Sequence, residues 1–247
     1  MSTAAIAAVV FIISFLFALG GVGSAVVLVP ILDFLGLPFE EARATALYVN
    51  AVTLFAASYS NWRGKHLDFS VGLPVLIASI AAAPLGAWLS TSIDQQWVSL
   101  FFASFLLLAG IAILLAGDRP TTLSRRSHPL LLGLAVGFAA GFLSGFLGIG
   151  GGGLIATAFI LVGYDPKFAV VTTAFVVPFS SATGFASYAT LGHFNWQLAL
   201  PLGGVAIFSG LVATSIMHDR ISSGNLKWAF GLGLAVLGAV LLVRELM

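Results

Sequence analysis

The sequence predicts an all-α integral membrane protein, a polytopic helical bundle of two inverted repeats, each a glycine-broken hairpin followed by three full spans. Three observations carry this expectation. The 247-residue chain is 60% hydrophobic and 8% charged, against about 25% charged residues in ordinary soluble domains, so no aqueous fold could bury its apolar surface. Apolar stretches close to the roughly 20 residues that a span requires recur from end to end. A glycine-rich break inside such a stretch occurs twice, as Gly20-Gly21-Val22-Gly23-Ser24 and as Gly148-Ile149-Gly150-Gly151-Gly152-Gly153, each followed by a short apolar run. In secondary transporters, paired interruptions at corresponding places in two halves point to the substrate site.

Composition also excludes several classes. A membrane β-barrel would alternate polar and apolar residues, which this chain does not. The net charge is +1, with no basic tract suited to nucleic acid. Without cysteine there can be no disulfide, thiolate metal site or cysteine nucleophile. No metal or cofactor is expected. The start, Met1-Ser2-Thr3, lacks a positively charged leader and runs into a segment that is repeated later, so it is read as the first membrane helix.

The two halves align at a shift of 127 or 128 residues. Pro38 meets Pro166, Thr45-Ala46 meets Thr173-Ala174, His66-Leu67-Asp68-Phe69 meets His193-Phe194-Asn195-Trp196, and Pro74 meets Pro201. Apolar similarity arising by chance would not align loop residues of this kind. The first repeat is residues 1–116, a basic linker is 117–128, and the second repeat is 129–247. Within the first, helices are expected over 4–20, 24–35, 41–62, 69–91 and 95–116; within the second, over 129–148, 153–163, 168–191, 196–217 and 222–244. The whole makes eight to ten helical segments, depending on whether each broken hairpin counts as one or two.

The second piece of each half is too short to cross. Twelve residues at about 1.5 Å each reach about 18 Å, against a hydrocarbon core of about 30 Å. If it folds back as a hairpin, three crossings remain per half, and an odd number inverts the second half. Charge placement favours this arrangement. In the inverted arrangement Arg63, Lys65, Arg119, Arg125, Arg126, Lys167, Arg220 and Lys227 share one side, leaving Arg43 and Arg244 on the other. Four crossings per half would give a six-to-four split. The positive-inside rule therefore places the basic side in the cytoplasm and both termini outside. A bacterial cytoplasmic membrane is the expected location.

The glycines let the backbone turn, and the amides opening the next half-helix direct unpaired N–H groups and a positive dipole end at the bend. Two such ends would cradle an oxyanion without a buried cation. Polar residues gather on the piece that follows: Thr45, Asn50, Thr53, Ser58, Tyr59 and Asn61 in the first half, and Thr172, Thr173, Ser180, Ser181, Thr183, Ser187 and Tyr188 in the second. Hydroxyls and amides in lipid need partners, so these should face the protein interior or a wet cavity. Asn50 is the sharpest candidate, since an amide deep in an apolar helix is costly and can donate to an anion oxygen; an interhelical hydrogen bond is the alternative role for it. Pro178 should kink its helix and free a carbonyl near Ser180 and Ser181. The substrate-binding set is therefore Gly21, Gly23, Ser24, Thr45, Asn50, Gly150, Gly151, Gly152, Thr173, Ser180 and Ser181. Apart from Asp33, no carboxylate lies well inside an apolar segment, which weakens the case for a proton relay. His66 and His193 occupy matched loops, where a proton role and a plain interface hydrogen bond are both open, and they are left out of the site.

The glycine-rich break, the short apolar run ending Gly36-Leu37-Pro38, then Ala44-Thr45-Ala46, the basic loop, and Leu67-Asp68-Phe69 leading to Pro74 together resemble the sulfite exporter TauE/SafE family. The resemblance runs through both repeats. It implies a membrane carrier for sulfite, a sulfonate such as sulfoacetate, or a related small sulfur-containing anion. Membrane lipid and this anion are the expected partners, and a homodimer is compatible with them. Two other readings compete. An anion channel would share the glycine cradle. An intramembrane serine hydrolase would use Ser144, in Gly141-Phe142-Leu143-Ser144-Gly145, with His193 as its base, but the matched place in the first half has no such serine.

Overall fold

A computed structural model describes residues 3–90, 95–115, 129–147, 152–190 and 194–246. Ten helices and no strands are found among them. They are α1 (Thr3–Leu19), α2 (Ala25–Phe34), α3 (Phe39–Arg63), α4 (Phe69–Ser90), α5 (Gln95–Leu115), α6 (Pro129–Leu147), α7 (Gly152–Val162), α8 (Pro166–Thr190), α9 (Trp196–Arg220) and α10 (Ser223–Leu246). The linker 117–128 and the stretch Gly148 to Gly151 lie outside the described residues. Each helix falls on one of the apolar pieces that the sequence marks out. Three of them, α8 over Pro166–Ala186, α9, and α10 over Ser223–Arg244, are long and apolar enough to cross a membrane over their described stretches. The short helices α2 and α7, with 10 and 11 residues, reach only about 15–17 Å.

Helix ends are set by local chemistry, and the same devices recur in both halves. Helix α2 closes on Gly36 (φ 95°), with Gly36 N–H donating to Asp33 O and Leu37 N–H to Leu32 O. Helix α7 closes on Gly163 (φ 99°), with Gly163 N–H donating to Ile160 O and Tyr164 N–H to Phe159 O. Both are left-handed caps that satisfy carbonyls the helix would otherwise leave open. Helix α4 starts beside Asp68, whose Oδ1 accepts from the Ser70 N–H at 2.9 Å and the Ser70 hydroxyl at 2.6 Å. At α9 the matched residue Asn195 accepts from Gln197 N–H and Leu198 N–H. The alignment of Asp68 with Asn195 thus reflects a shared N-terminal cap.

Helices from before and after the linker interleave. Helix α3 packs on α8 in antiparallel sense: Leu47 faces Gly184, Asn50 meets Ser181, and Phe55 meets Phe179. Helix α5 runs antiparallel to α10, with Gly110 against Ala235 and Gly231, and Gly238 against Leu107 and Ala103. Helix α4 runs parallel to α6, where Gly137 abuts Val75 and Gly141 abuts Ser79. Helix α3 also runs parallel to α9, from Tyr48 on Gly203 to Asn61 on His218. Most of these approaches are backbone on backbone, the contact mode available to helices in lipid, where burial of apolar surface drives nothing. The outer faces show large apolar side chains such as Ile12, Ile77, Leu108 and Trp228, as a lipid solvent permits.

Helix α8 runs on through Pro178, the residue expected to kink it. Proline lacks an N–H, which still leaves the carbonyl four residues earlier, at Ala174, without its usual donor.

Candidate functional site

The first glycine break is built around two left-handed residues, Gly21 (φ 63°) and Gly23 (φ 88°). A side chain at either would be strained, because left-handed backbone costs an L-residue about 1–2 kcal/mol. Space forbids it as well. A Cβ at Gly23 would lie 2.6 Å from Asn50 Oδ1, and one at Gly21 would press on the Val170 carbonyl. The bend therefore brings the start of α2 directly against the amide of Asn50.

The Ser24 N–H donates to Asn50 Oδ1 at 2.7 Å, and Asn50 Nδ2 donates to Ser181 Oγ at 2.7 Å. The Ser24 hydroxyl stands 3.4 Å from that of Ser14. These four residues come from α1, the break, α3 and α8, and all are at most 1% exposed. The chain here joins three segments of the first half to one of the second through a single carboxamide. No member of the network is charged. Its polarity comes from the N-terminal end of α2, whose first-turn amides no intrahelical carbonyl can reach.

The second break meets the first. Gly152, at the start of α7, sits so close to the Val22 carbonyl that any Cβ there would collide with it. Val22 lies between the two left-handed glycines, so one peptide forms both the turn of the first break and the wall of the second.

The structure thus gathers Gly21, Gly23, Ser24, Asn50, Gly152 and Ser181 of the predicted set into one region. Gly150 and Gly151 lie outside the described residues. Thr173 donates instead to Ala169 O at 2.7 Å on its own helix, and Ser180 donates to Val177 O at 2.9 Å. Thr45 is buried, and its Oγ1 has no hydrogen-bond partner among the described residues; the same holds for Thr53, Thr157 and Thr172. The sequence reading did not single out Ser14 or Thr157. Each is a lone hydroxyl in an apolar helix, and that isolation is the available signal for both. Asp33 is exposed at the end of α2 and takes no part. The side chain of Ser144 and all of His193 lie outside the described residues. No group of three or more His, Cys, Asp and Glu that could hold a metal occurs among the described residues.

A family model described as sulfite exporter TauE/SafE matches residues 6–241. The probable membrane transporter protein YunE of Bacillus subtilis is 30% identical over 222 residues, covering 79% of this chain and 81% of that protein. The probable membrane transporter protein MJ0441 of Methanocaldococcus jannaschii is 26% identical over 249 residues, covering 94% and 92%. YdhB of Bacillus subtilis, also named a probable membrane transporter protein, is 28% identical over 244 residues, covering 95% and 98%. With ten helices among its described residues and a match over nearly its whole length, the chain belongs to the sulfite exporter TauE/SafE family and is a multi-pass membrane transporter.

Proposed function

We propose that this transporter moves a small sulfur-containing oxyanion, of the sulfite, sulfonate or sulfoacetate type, across the bacterial cytoplasmic membrane, holding it where the two glycine breaks meet. The observation that carries the reading is the hydrogen bond from Ser24 N–H to Asn50 Oδ1. A carboxamide oxygen occupies the place at the start of α2 that an anion oxygen would take. When substrate arrives, its oxygen replaces Asn50 Oδ1 on the α2 amides, and the amide NH2 and the Ser181 hydroxyl are left to donate to it. Selectivity for an anion follows from the dipole end and from donors alone, with no fixed cation to hold the substrate too tightly.

The inverted repeat belongs to this proposal. Its support is the antiparallel packing of each of two helices against its own counterpart, α3 on α8 and α5 on α10. The ends agree: Asn61 in the last turn of α3 and His66 just after it meet His218 of the second half, to whose carbonyl Lys167 donates. That is the side the basic residues mark as cytoplasmic, with both termini outside.

The test is uptake of sulfite, sulfoacetate, taurine and thiosulfate by the purified protein in liposomes under a controlled potential. Saturable uptake of one of them, lost in Asn50→Ala, is the expected result. Uptake that rises linearly without saturation would make the protein a channel, and no uptake of any of the four by folded protein would sink the substrate class.

A further inference from the structure

At the end of the bundle away from the termini, Asn61 closes α3 and the chain turns through Gly64 and Lys65 into His66. The turn is strained at Lys65, a non-glycine residue held at φ 58°. It is fastened by His66 N–H donating to Asn61 O at 3.0 Å. This turn lays the His66 ring face to face on His218 of α9, with centroids 3.8 Å apart and planes 16° from parallel. His218 Nε2 is 2.8 Å from Asn61 Oδ1. An amide oxygen only accepts, so Nε2 carries a hydrogen in this arrangement. Lys167 Nζ, from the first turn of α8, donates to the His218 carbonyl at 3.2 Å. The end of α3, the turn and α9 are thus pinned through one imidazole pair, and α8 is tied to the His218 backbone beside it.

Charge around the pair is biased. Lys167 of α8 and Asp219 of α9 act directly on His218, and the charges nearest to the pair in the chain are Arg63, Lys65 and Asp68 around the turn, Asp165 before α8 and Arg220 at the end of α9. Asp68 is engaged by Ser70, Asp165 by the Lys167 and Phe168 amides, and Asp219 by Ser215. Cations outnumber carboxylates, and the carboxylates are already hydrogen-bonded.

We propose that His66 and His218 form a proton-binding latch that holds this end of the transporter shut and opens when the ring pair is protonated. Two stacked rings cannot both carry charge without repulsion, and Lys167 stands on the same side. The latched form therefore binds fewer protons than the open form. Its stability is present at neutral and higher pH and is lost on acidification. Release frees the end of α3 that lies 11 residues, about 16 Å, from Asn50. The inference rests on the carrier reading only for that consequence.

The chain has no native cysteine, so a single Met217→Cys reports on the latch. Met217 is 1% exposed beneath it. Its labelling rate by a maleimide is measured relative to Gly224→Cys, where a Cβ meets nothing within 4 Å. From about pH 7.5 to about pH 5.5 this ratio should rise about fivefold or more, within the tenfold per unit that one proton can deliver. In the doubly substituted H66F/H218Q background, which keeps a neutral ring and an amide donor, it should stay flat. A flat ratio in the unsubstituted background, or an equal rise in both, overturns the latch. Hydrogen exchange of the His66 amide on the otherwise unaltered chain, referenced to intrinsic rates, gives the same reading should Met217→Cys not fold. Loss of uptake of every anion would count against the carrier and leave this assay standing. Saturable uptake with a flat ratio would overturn the latch alone.

Discussion

The starts of α2 and α7 occupy corresponding places in the two halves, yet they are finished differently. At α2 the break is polar: Ser24 N–H donates to Asn50 Oδ1 and Asn50 Nδ2 donates to Ser181 Oγ, each at 2.7 Å. At α7 the described start of the helix, Gly152, rests on the Val22 carbonyl. The positions in α8 that match Asn50 are Val177 and Pro178, and neither can donate a hydrogen bond from its side chain. Duplicated geometry has thus been given divided chemistry. In the proposed site the first half would supply the amide that meets the ligand, and among the described residues the second half supplies Gly152 behind it and the Ser181 hydroxyl.

The most damaging substitution should be Gly152→Val, which drives a branched side chain into the Val22 peptide. Overpacking of this kind costs about 3 kcal/mol or more, and thermal unfolding in detergent should show it as loss of the folded protein. A wild-type transition would mean that the two breaks do not touch. Gly23→Ala comes next. It adds left-handed strain of about 1–2 kcal/mol and expels the Asn50 amide, so saturable uptake should vanish while the protein still inserts.

Asn50→Ala and Val177→Ala separate the halves most sharply. The first leaves the buried Ser24 N–H and Ser181 hydroxyl unpaired, at about 1–3 kcal/mol, and should abolish saturable uptake. The second should lower stability and leave half-saturation alone. Equal effects on uptake would refute divided chemistry. Ser181→Ala removes one hydrogen bond, about 0.5–1.5 kcal/mol, with a several-fold rise in half-saturation. Thr45→Val should be smallest, within about 0.5 kcal/mol, because Thr45 Oγ1 has no partner to lose. A marked rise in half-saturation there would place that hydroxyl on the substrate.

The helices were legible because their limits are written in local chemistry. Apolar length gives the body of each, and Gly36, Gly163, Asp68 and Asn195 write the ends, which is why those loop positions align across the halves. Asn50 was legible too, since a carboxamide deep in an apolar helix has to find a partner elsewhere. The hydroxyls were not. A helical serine or threonine can satisfy itself on a carbonyl three or four residues back, as Thr173 and Ser180 do, and composition cannot tell that choice from an outward reach such as Ser181 makes. His66 shows a second limit. Alignment pairs it with His193, while folding stacks it on His218, because repeat correspondence says nothing of what a crossing helix brings alongside.

The glycines on α5 and α10 act like the key in a keyway. With Gly110 seated on α10 and Gly238 on α5, rotating either helix about its own axis turns a neighbouring side chain into the partner's backbone. That pair can tilt as a single rod, but it cannot roll, so any turning of the bundle about its long axis has to be borne by helices outside this joint.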